Sequence, residues 1–166
     1  MQTAKTVLDV VHERGTSRKG LNRVYRTLYN PDLYRNAYGQ IYSNHGAMTA
    51  GTDGETLDGT SERKFHQIID SLRNETFRWK PARRVYIPKK NNGKRPLGIP
   101  SAKDKLLQAV IKDVLQSYYE PQFSDRSHGF RPGHGCHTAL MQITQKHRDV
   151  SWFIEGDIKG FFDHSS

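Results

Sequence analysis

Apolar residues recur at helical spacing over most of this chain, broken at two places where the pattern changes to short strands. Val7, Leu8, Val10 and Val11 give residues 1–14 a short helical pattern, and Gly15-Thr16-Ser17-Arg18-Lys19-Gly20 is expected to break it. Leu21, Val24, Tyr25 and Leu28 repeat the helical spacing. Asn30-Pro31 then predicts a new helix, with Asn30 as N-cap and Pro31 at its first position. On that helix Leu33, Tyr34, Ala37, Tyr38, Ile41 and Tyr42 form a wide aromatic stripe. Such a stripe reads as core before it reads as a base-stacking surface. Residues 43–60 lose the pattern and hold four glycines, which predicts a long loop. Thr60 or Ser61 caps a further helix carrying Phe65, Ile68, Ile69 and Leu72.

Two strands are expected at Arg83–Pro88 and Arg95–Ile99 around Asn91-Asn92-Gly93, because Asn-Gly tolerates positive φ in a tight turn. Pro88 and Pro96 make the ribbon an edge. Residues 102–119 follow as the clearest helix, with Leu106, Leu107, Val110, Ile111, Val114, Leu115 and Tyr118 in register and Pro121 as the stop. A Gly-, Pro- and Arg-rich loop at 120–136 leads to a helix at roughly 137–147. A strand from Trp152 to Asp157 ends the pattern.

Charge changes this picture because it is local. Residues 78–105 hold Arg78, Lys80, Arg83, Arg84, Lys89, Lys90, Lys94, Arg95, Lys103 and Lys105 against the single acid Asp104. That segment carries the whole formal net charge of +9, and the other 138 of the 166 residues balance to zero. A concentrated cationic ribbon binds polyanions by releasing their counterions. Composition otherwise fits a soluble globular protein, with 34% hydrophobic and 26% charged residues. No apolar run approaches the roughly 18 residues of a membrane span, and the N-terminus lacks a signal-peptide core. The single Cys136 suits a reducing compartment.

Three groups of residues could carry chemistry. Lys89, Lys90, Lys94 and Arg95 on the ribbon could close over a triphosphate and neutralise charge on a leaving pyrophosphate. Arg131, in Ser127-His128-Gly129-Phe130-Arg131-Pro132-Gly133, either holds a nucleic-acid backbone or serves as a structural cap; chemistry alone does not separate these. Asp157, with Phe162 and Asp163 beyond it, suits a metal ligand at a strand end, though by itself it reads first as a solvated strand terminus. His128, His134, Cys136 and His137 lack zinc-ligand spacing.

These groups occur in one order with specific wording. Arg83-Arg84-Val85-Tyr86-Ile87-Pro88-Lys89-Lys90 precedes Lys94-Arg95-Pro96-Leu97-Gly98-Ile99-Pro100, then Asp104-Lys105-Leu106-Leu107-Gln108. Tyr119-Glu120-Pro121-Gln122-Phe123 follows, then Ser127-His128-Gly129-Phe130-Arg131-Pro132, and last Gly156-Asp157-Ile158-Lys159-Gly160-Phe161-Phe162-Asp163. The series resembles the group II intron-encoded reverse transcriptase/maturase family, in its organelle-like bacterial branch. Tyr42-Ser43-Asn44-His45-Gly46-Ala47 with Asp58-Gly59 resembles the family's loop ahead of the first polymerase block, so the likeness covers about residues 20–164.

The resemblance implies an α+β fold: a helical N-terminal extension with an RNA-contacting loop over 1–76, polymerase fingers with a basic β-hairpin over 77–150, and the first strand of a right-hand palm over 151–166. It implies that Asp157 is the catalytic aspartate binding Mg²⁺. It implies that Lys89 or Lys90, with Arg95, Arg131 and Phe162, meets the incoming deoxynucleotide. Arg83, Arg84, Lys94, Lys103, Lys105, Asn44 and His45 would contact RNA. The implied partners are group II intron RNA, RNA template, DNA primer and dNTP, with no membrane. The implied place is a ribonucleoprotein in the bacterial cytoplasm, an organelle remaining open. The sequence holds no Asp-Asp pair, and the family's Tyr-x-Asp-Asp hairpin, thumb and maturase domain are absent from it. Catalytic metal ligands act cooperatively, so the expectation is an RNA-binding N-terminal fragment inactive alone, with a stand-alone RNA-binding module as the alternative.

Overall fold

A computed structural model describes residues 2–89, 93–146, 149–152, 154–156 and 158. The fold is α+β and divides into two units, residues 1–123 and 124–166. The first unit holds α1 (Ala4–Thr16), the single turn α2 (Val24–Thr27), α3 (Pro31–Tyr42), α4 (Glu62–Arg73), a hairpin of β1 (Arg83–Pro88) and β2 (Lys94–Ile99), and α5 (Ala102–Tyr119).

Each long helix has a local cause. Thr3 caps α1 by accepting the Thr6 N–H at 3.2 Å, and Asn30 caps α3 by accepting the Asp32 N–H at 3.0 Å, with Pro31 behind it. Ser101 caps α5 by accepting the Asp104 N–H at 3.2 Å. Ser61 precedes α4 without a side-chain cap bond. The expected helix over 21–28 shrinks to one turn because Arg23 adopts φ 55°, a left-handed conformation that no helix accommodates. The expected break over residues 15–20 is present: α1 ends at Thr16 inside that segment, and its Gly15 lies against the α5 backbone at Tyr118.

α5 is the axis of this unit, with α1, α3 and α4 packed on it. Leu33, Tyr34, Ala37, Phe65, Ile68, Ile69, Leu72, Leu106, Leu107, Val110 and Val114 are buried together. The α3 stripe is therefore core over most of its width, and only Tyr42 at its end is exposed. Burial pushes the Tyr34 hydroxyl far above its ordinary pKa, and that hydroxyl donates to the Leu28 carbonyl at 2.9 Å. Leu107 is 1% exposed. Leu107→Ala is expected to cost about 2–5 kcal/mol in denaturant unfolding; an unchanged midpoint would mean the α5 stripe is not what holds the unit together.

The hairpin pairs Arg83 with Ile99, Val85 with Leu97 and Ile87 with Arg95 on one face. Arg84 with Gly98, Tyr86 with Pro96 and Pro88 with Lys94 share the other, since directly opposed residues lie on the same side. Half-buried Val85 and Ile99 sit on the first face, so Arg84, Tyr86 and Lys94 face outward. Two prolines are tolerated because, among the described residues, the sheet has two strands and no third ladder to feed.

The second unit contains α6 (Cys136–Lys146). His128 ties the preceding loop to it, with Nδ1 2.9 Å from Thr138 Oγ1 and Nε2 3.0 Å from Gln142 Oε1. At the expected palm strand, the described residues 152, 154–156 and 158 join no ladder, and Trp152 and Ile154 are exposed. A strand needs a hydrogen-bonded neighbour, and none is present among the described residues.

Candidate nucleic-acid interface

A junction of loop, ribbon and helix places the basic residues. Gly51 lets the loop at 49–53 press on the start of α5: a Cβ there would lie 2.7 Å from Ser101 Cα, so no other residue fits. Ala47, Leu57 and Ala102 are buried beneath this loop. Arg83 Nε then donates to the Ala50 carbonyl at 3.0 Å, and Thr52 Oγ1 donates to the Pro81 carbonyl at 3.0 Å. Lys80 N–H donates to Asp104 Oδ2 at 3.0 Å, and Lys80 Nζ pairs with Asp53 at 3.1 Å. The ribbon is thereby anchored at its base and projects from the α5 N-terminus.

The cations of residues 78–105 divide into two kinds. Arg84, Lys89, Lys94 and Arg95 are exposed and make no ion pair among the described residues. Lys105, Arg83 and Lys80 serve the fold. Lys105 Nζ donates to the carbonyls of Gly46 and Thr49, which makes it a clamp for the loop rather than an open phosphate ligand. Burial first, then the nearby Arg83 guanidinium, pull its ammonium below the usual lysine range, with Asp53 offsetting part of the effect. Burial pushes the Asp53 carboxyl up, but hydrogen bonds from Lys80 and the Glu55 N–H outweigh it and hold the carboxyl low. Lys103 Nζ lies 4.2 Å from the centre of the Phe77 ring. Asn44 and His45 are exposed beside the turn His45–Met48, which the Lys105 clamp holds in place.

Composition counting passed over one feature here. Trp79 is 52% exposed, edge-on to Phe77 with ring centres 5.1 Å apart. The alternation Phe77-Arg78-Trp79-Lys80 was the signal, since aromatic faces between cations suit stacking on bases. Lys80 and Lys103 also line a cleft of about 260 Å³, together with Asp53, Lys64, Gln67 and Leu106 among others.

In the second unit Arg131 Nη1 donates to the carbonyls of Ser124 at 2.7 Å and Ser127 at 2.8 Å, closing the turn that carries it. Phe130 beside it is fully exposed at φ 57°. Lys90, Asp157 and Phe162 lie outside the described residues. Among the described residues no three His, Cys, Asp or Glu side chains converge as a metal site.

With this geometry in place, the comparisons with known proteins become specific. The model of the reverse transcriptase (RNA-dependent DNA polymerase) family matches residues 87–164. The chain is similar to the group II intron-encoded protein LtrA of Lactococcus lactis subsp. cremoris, 52% identical over 143 residues, which are 86% of this chain and 24% of that protein. It is 48% identical over 136 residues to an uncharacterized 91 kDa protein in cob intron of Schizosaccharomyces pombe, covering 82% of this chain and 17% of the relative. It is 32% identical over 151 residues to the protein YkfC of Escherichia coli, covering 86% and 40%. The chain thus spans about a quarter of the length of the first of these relatives.

Proposed function

This chain belongs to the group II intron-encoded reverse transcriptase/maturase family, and from that premise we propose that it supplies the RNA-gripping extension and fingers of an RNA-directed DNA polymerase. One observation supports this most. The uncompensated cations Arg84, Lys89, Lys94 and Arg95 stand on a ribbon whose base is locked by Arg83, Lys80 and Lys105. A fixed base with a cationic tip holds phosphates without paying to order the ribbon each time.

The proposed boundaries are an extension over 1–76, fingers over 77–150 and the beginning of a palm over 151–166. Structured intron RNA and template RNA are the proposed partners of the ribbon, Asn44 and His45. Lys89 and Arg95 are proposed to meet the triphosphate of an incoming deoxynucleotide, where their charge would offset charge building on the pyrophosphate. Arg131, held by its turn, and Phe162 are each proposed to meet the same nucleotide. Family chemistry relies on Mg²⁺, which activates the primer hydroxyl and steadies the leaving group. Asp157 is the proposed ligand and lies outside the described residues. No helix among the described residues is long and apolar enough to cross a membrane. A bacterial or organellar ribonucleoprotein is the proposed setting.

A salt-titrated binding assay on structured intron RNA tests the reading, with an unrelated duplex of equal length and primer extension in parallel. The expected result is preferential binding to the intron whose log–log salt slope is about −3 to −5, the value for roughly four to six phosphate contacts. Binding without salt dependence, or none at all by a folded chain, overturns it.

A further inference from the structure

A half-exposed tryptophan on a pinned backbone stands just ahead of the ribbon. Trp79 is 52% exposed, and the chain is held on both sides of it. Phe77 N–H donates to the Ser71 carbonyl at 3.0 Å, and Lys80 N–H donates to the buried Asp104 carboxylate at 3.0 Å. The Phe77 ring packs against the core of the first unit, and the indole meets it nearly at right angles, at 78°. An aromatic ring fixed in this way and left open to water is a stacking surface that needs no further ordering.

A cation shares the same support. Lys103, in the first turn of α5, places its Nζ 4.2 Å from the centre of the Phe77 ring. The indole and the ammonium are therefore both packed on one phenyl ring, within the span of one nucleotide. The neighbouring cations are already engaged. Arg78 turns back and donates to the carbonyls of Glu75 at 3.1 Å and Phe77 at 2.9 Å. Lys80 pairs with Asp53 at 3.1 Å and Lys64 with Glu55 at 3.0 Å, both at the cleft that Lys103 also lines. Lys103 itself pairs with no acid among the described residues. Its charge is left for a ligand, and the cleft beside it, about 260 Å³ with Ile68, Ala102 and Leu106 among its walls, has room for a phosphate and its water.

A flat π-face next to a single uncompensated ammonium matches the two parts of a nucleotide, an aromatic base and an anionic phosphate. Every base has a π-face, so such a ring binds bases without reading their identity. A base inside a duplex has both faces covered by its neighbours, which makes the ligand an unpaired one. We propose that Trp79 and Lys103 form a site for one unpaired nucleotide, with the base stacked on the indole and the phosphate held by the ammonium. The site lies outside the ribbon and outside residues 1–76, and it does not rest on the reading of the ribbon. The ribbon meets phosphates by charge, whereas here the base itself is gripped.

The chain has two tryptophans, so Trp152→Phe leaves Trp79 as the only indole reporter. The whole chain with that change is titrated with a short single-stranded oligo(A), with AMP as a free nucleotide, and with a long blunt duplex at equal nucleotide concentration. Saturable quenching of the indole by oligo(A) is expected, with a midpoint at least about 10-fold higher for the duplex. AMP that also quenches saturably opens the site to free nucleotides, and AMP that does not restricts it to a strand; either supports the site. Lys103→Gln is expected to raise the oligo(A) midpoint by about 10-fold, through loss of one charged hydrogen bond, while the final quench stays the same and a thermal melt shows the fold intact. No saturable quench by oligo(A), an equal midpoint for the duplex, or a midpoint that Lys103→Gln does not move overturns the site. Replacing Arg84, Lys89, Lys94 and Arg95 by Ala in the same background is expected to leave the oligo(A) quench in place. Loss of the quench there would mean that it comes from strands held by the ribbon, and also overturns the site. Failure of the ribbon reading leaves the indole signal untouched, so the two are judged separately.

Discussion

Replacing Arg84, Lys89, Lys94 and Arg95 together with alanine is expected to weaken binding to structured RNA by roughly 10²–10³-fold near physiological salt, and to flatten the salt slope by about three to four units. The four side chains are exposed and bridge to no acid among the described residues, so their charge is available to a ligand at no cost in broken pairs. For the same reason the fold should survive, since surface changes of this kind stay within about 0.5 kcal/mol each. Arg83 is left out deliberately. Its Nε bond to the Ala50 carbonyl holds the ribbon to the loop, so Arg83→Ala would confuse loss of structure with loss of contact. Filter binding across a salt series, with a denaturation curve for each protein, makes the measurement. Retention of parental affinity and slope by a folded variant would mean that RNA does not reach the ribbon.

Gly15→Ala is expected to destabilise the first unit by about 2–3 kcal/mol or more, although alanine is the better helix former. Intrinsic propensity favours the change by about 1 kcal/mol. Against it stands the crossing of α1 over α5: a Cβ at Gly15 would fall 2.1 Å from the Tyr118 carbonyl oxygen and 2.9 Å from its carbon. Backbone atoms of a central helix cannot swing aside as a side-chain tip can. The helices must separate, which would loosen Ala4 and Val11 from the core and strain the Tyr118 bond to Lys19. Gly39 provides the control. It lies inside α3 with nothing within 4 Å of its ideal Cβ, so Gly39→Ala should stabilise by about 0.5–1 kcal/mol. Urea midpoints of both variants read the two signs directly. Equal shifts would mean that helix propensity, not the crossing, governs Gly15.

Much of the fold is legible in the sequence. The Asn30-Pro31 start of α3, the α5 stripe and the paired strands of the ribbon all follow from short-range rules of capping, periodicity and turn chemistry. The excess of ten cations over one acid is a count, and counts need no structure. The difference fell where a local backbone conformation overrode helical spacing. Gly15 begins the expected break, and only the fold shows Tyr118 beside it. Residues 21–28 read as a helix, and only the left-handed Arg23 reduces them to one turn.

Sequence alone determined where the long helices and the paired strands of the ribbon lie, where positive charge concentrates, and which family the motifs resemble, because each depends on neighbours a few positions apart or on wording in order. Tertiary structure decided which cations are free. Lys105 and Lys89 look alike as letters, yet Lys105 is spent on carbonyls 59 and 56 residues away while Lys89 stands exposed. Availability of a charge depends on what the fold brings within about 3 Å of it, and no local pattern encodes that distance.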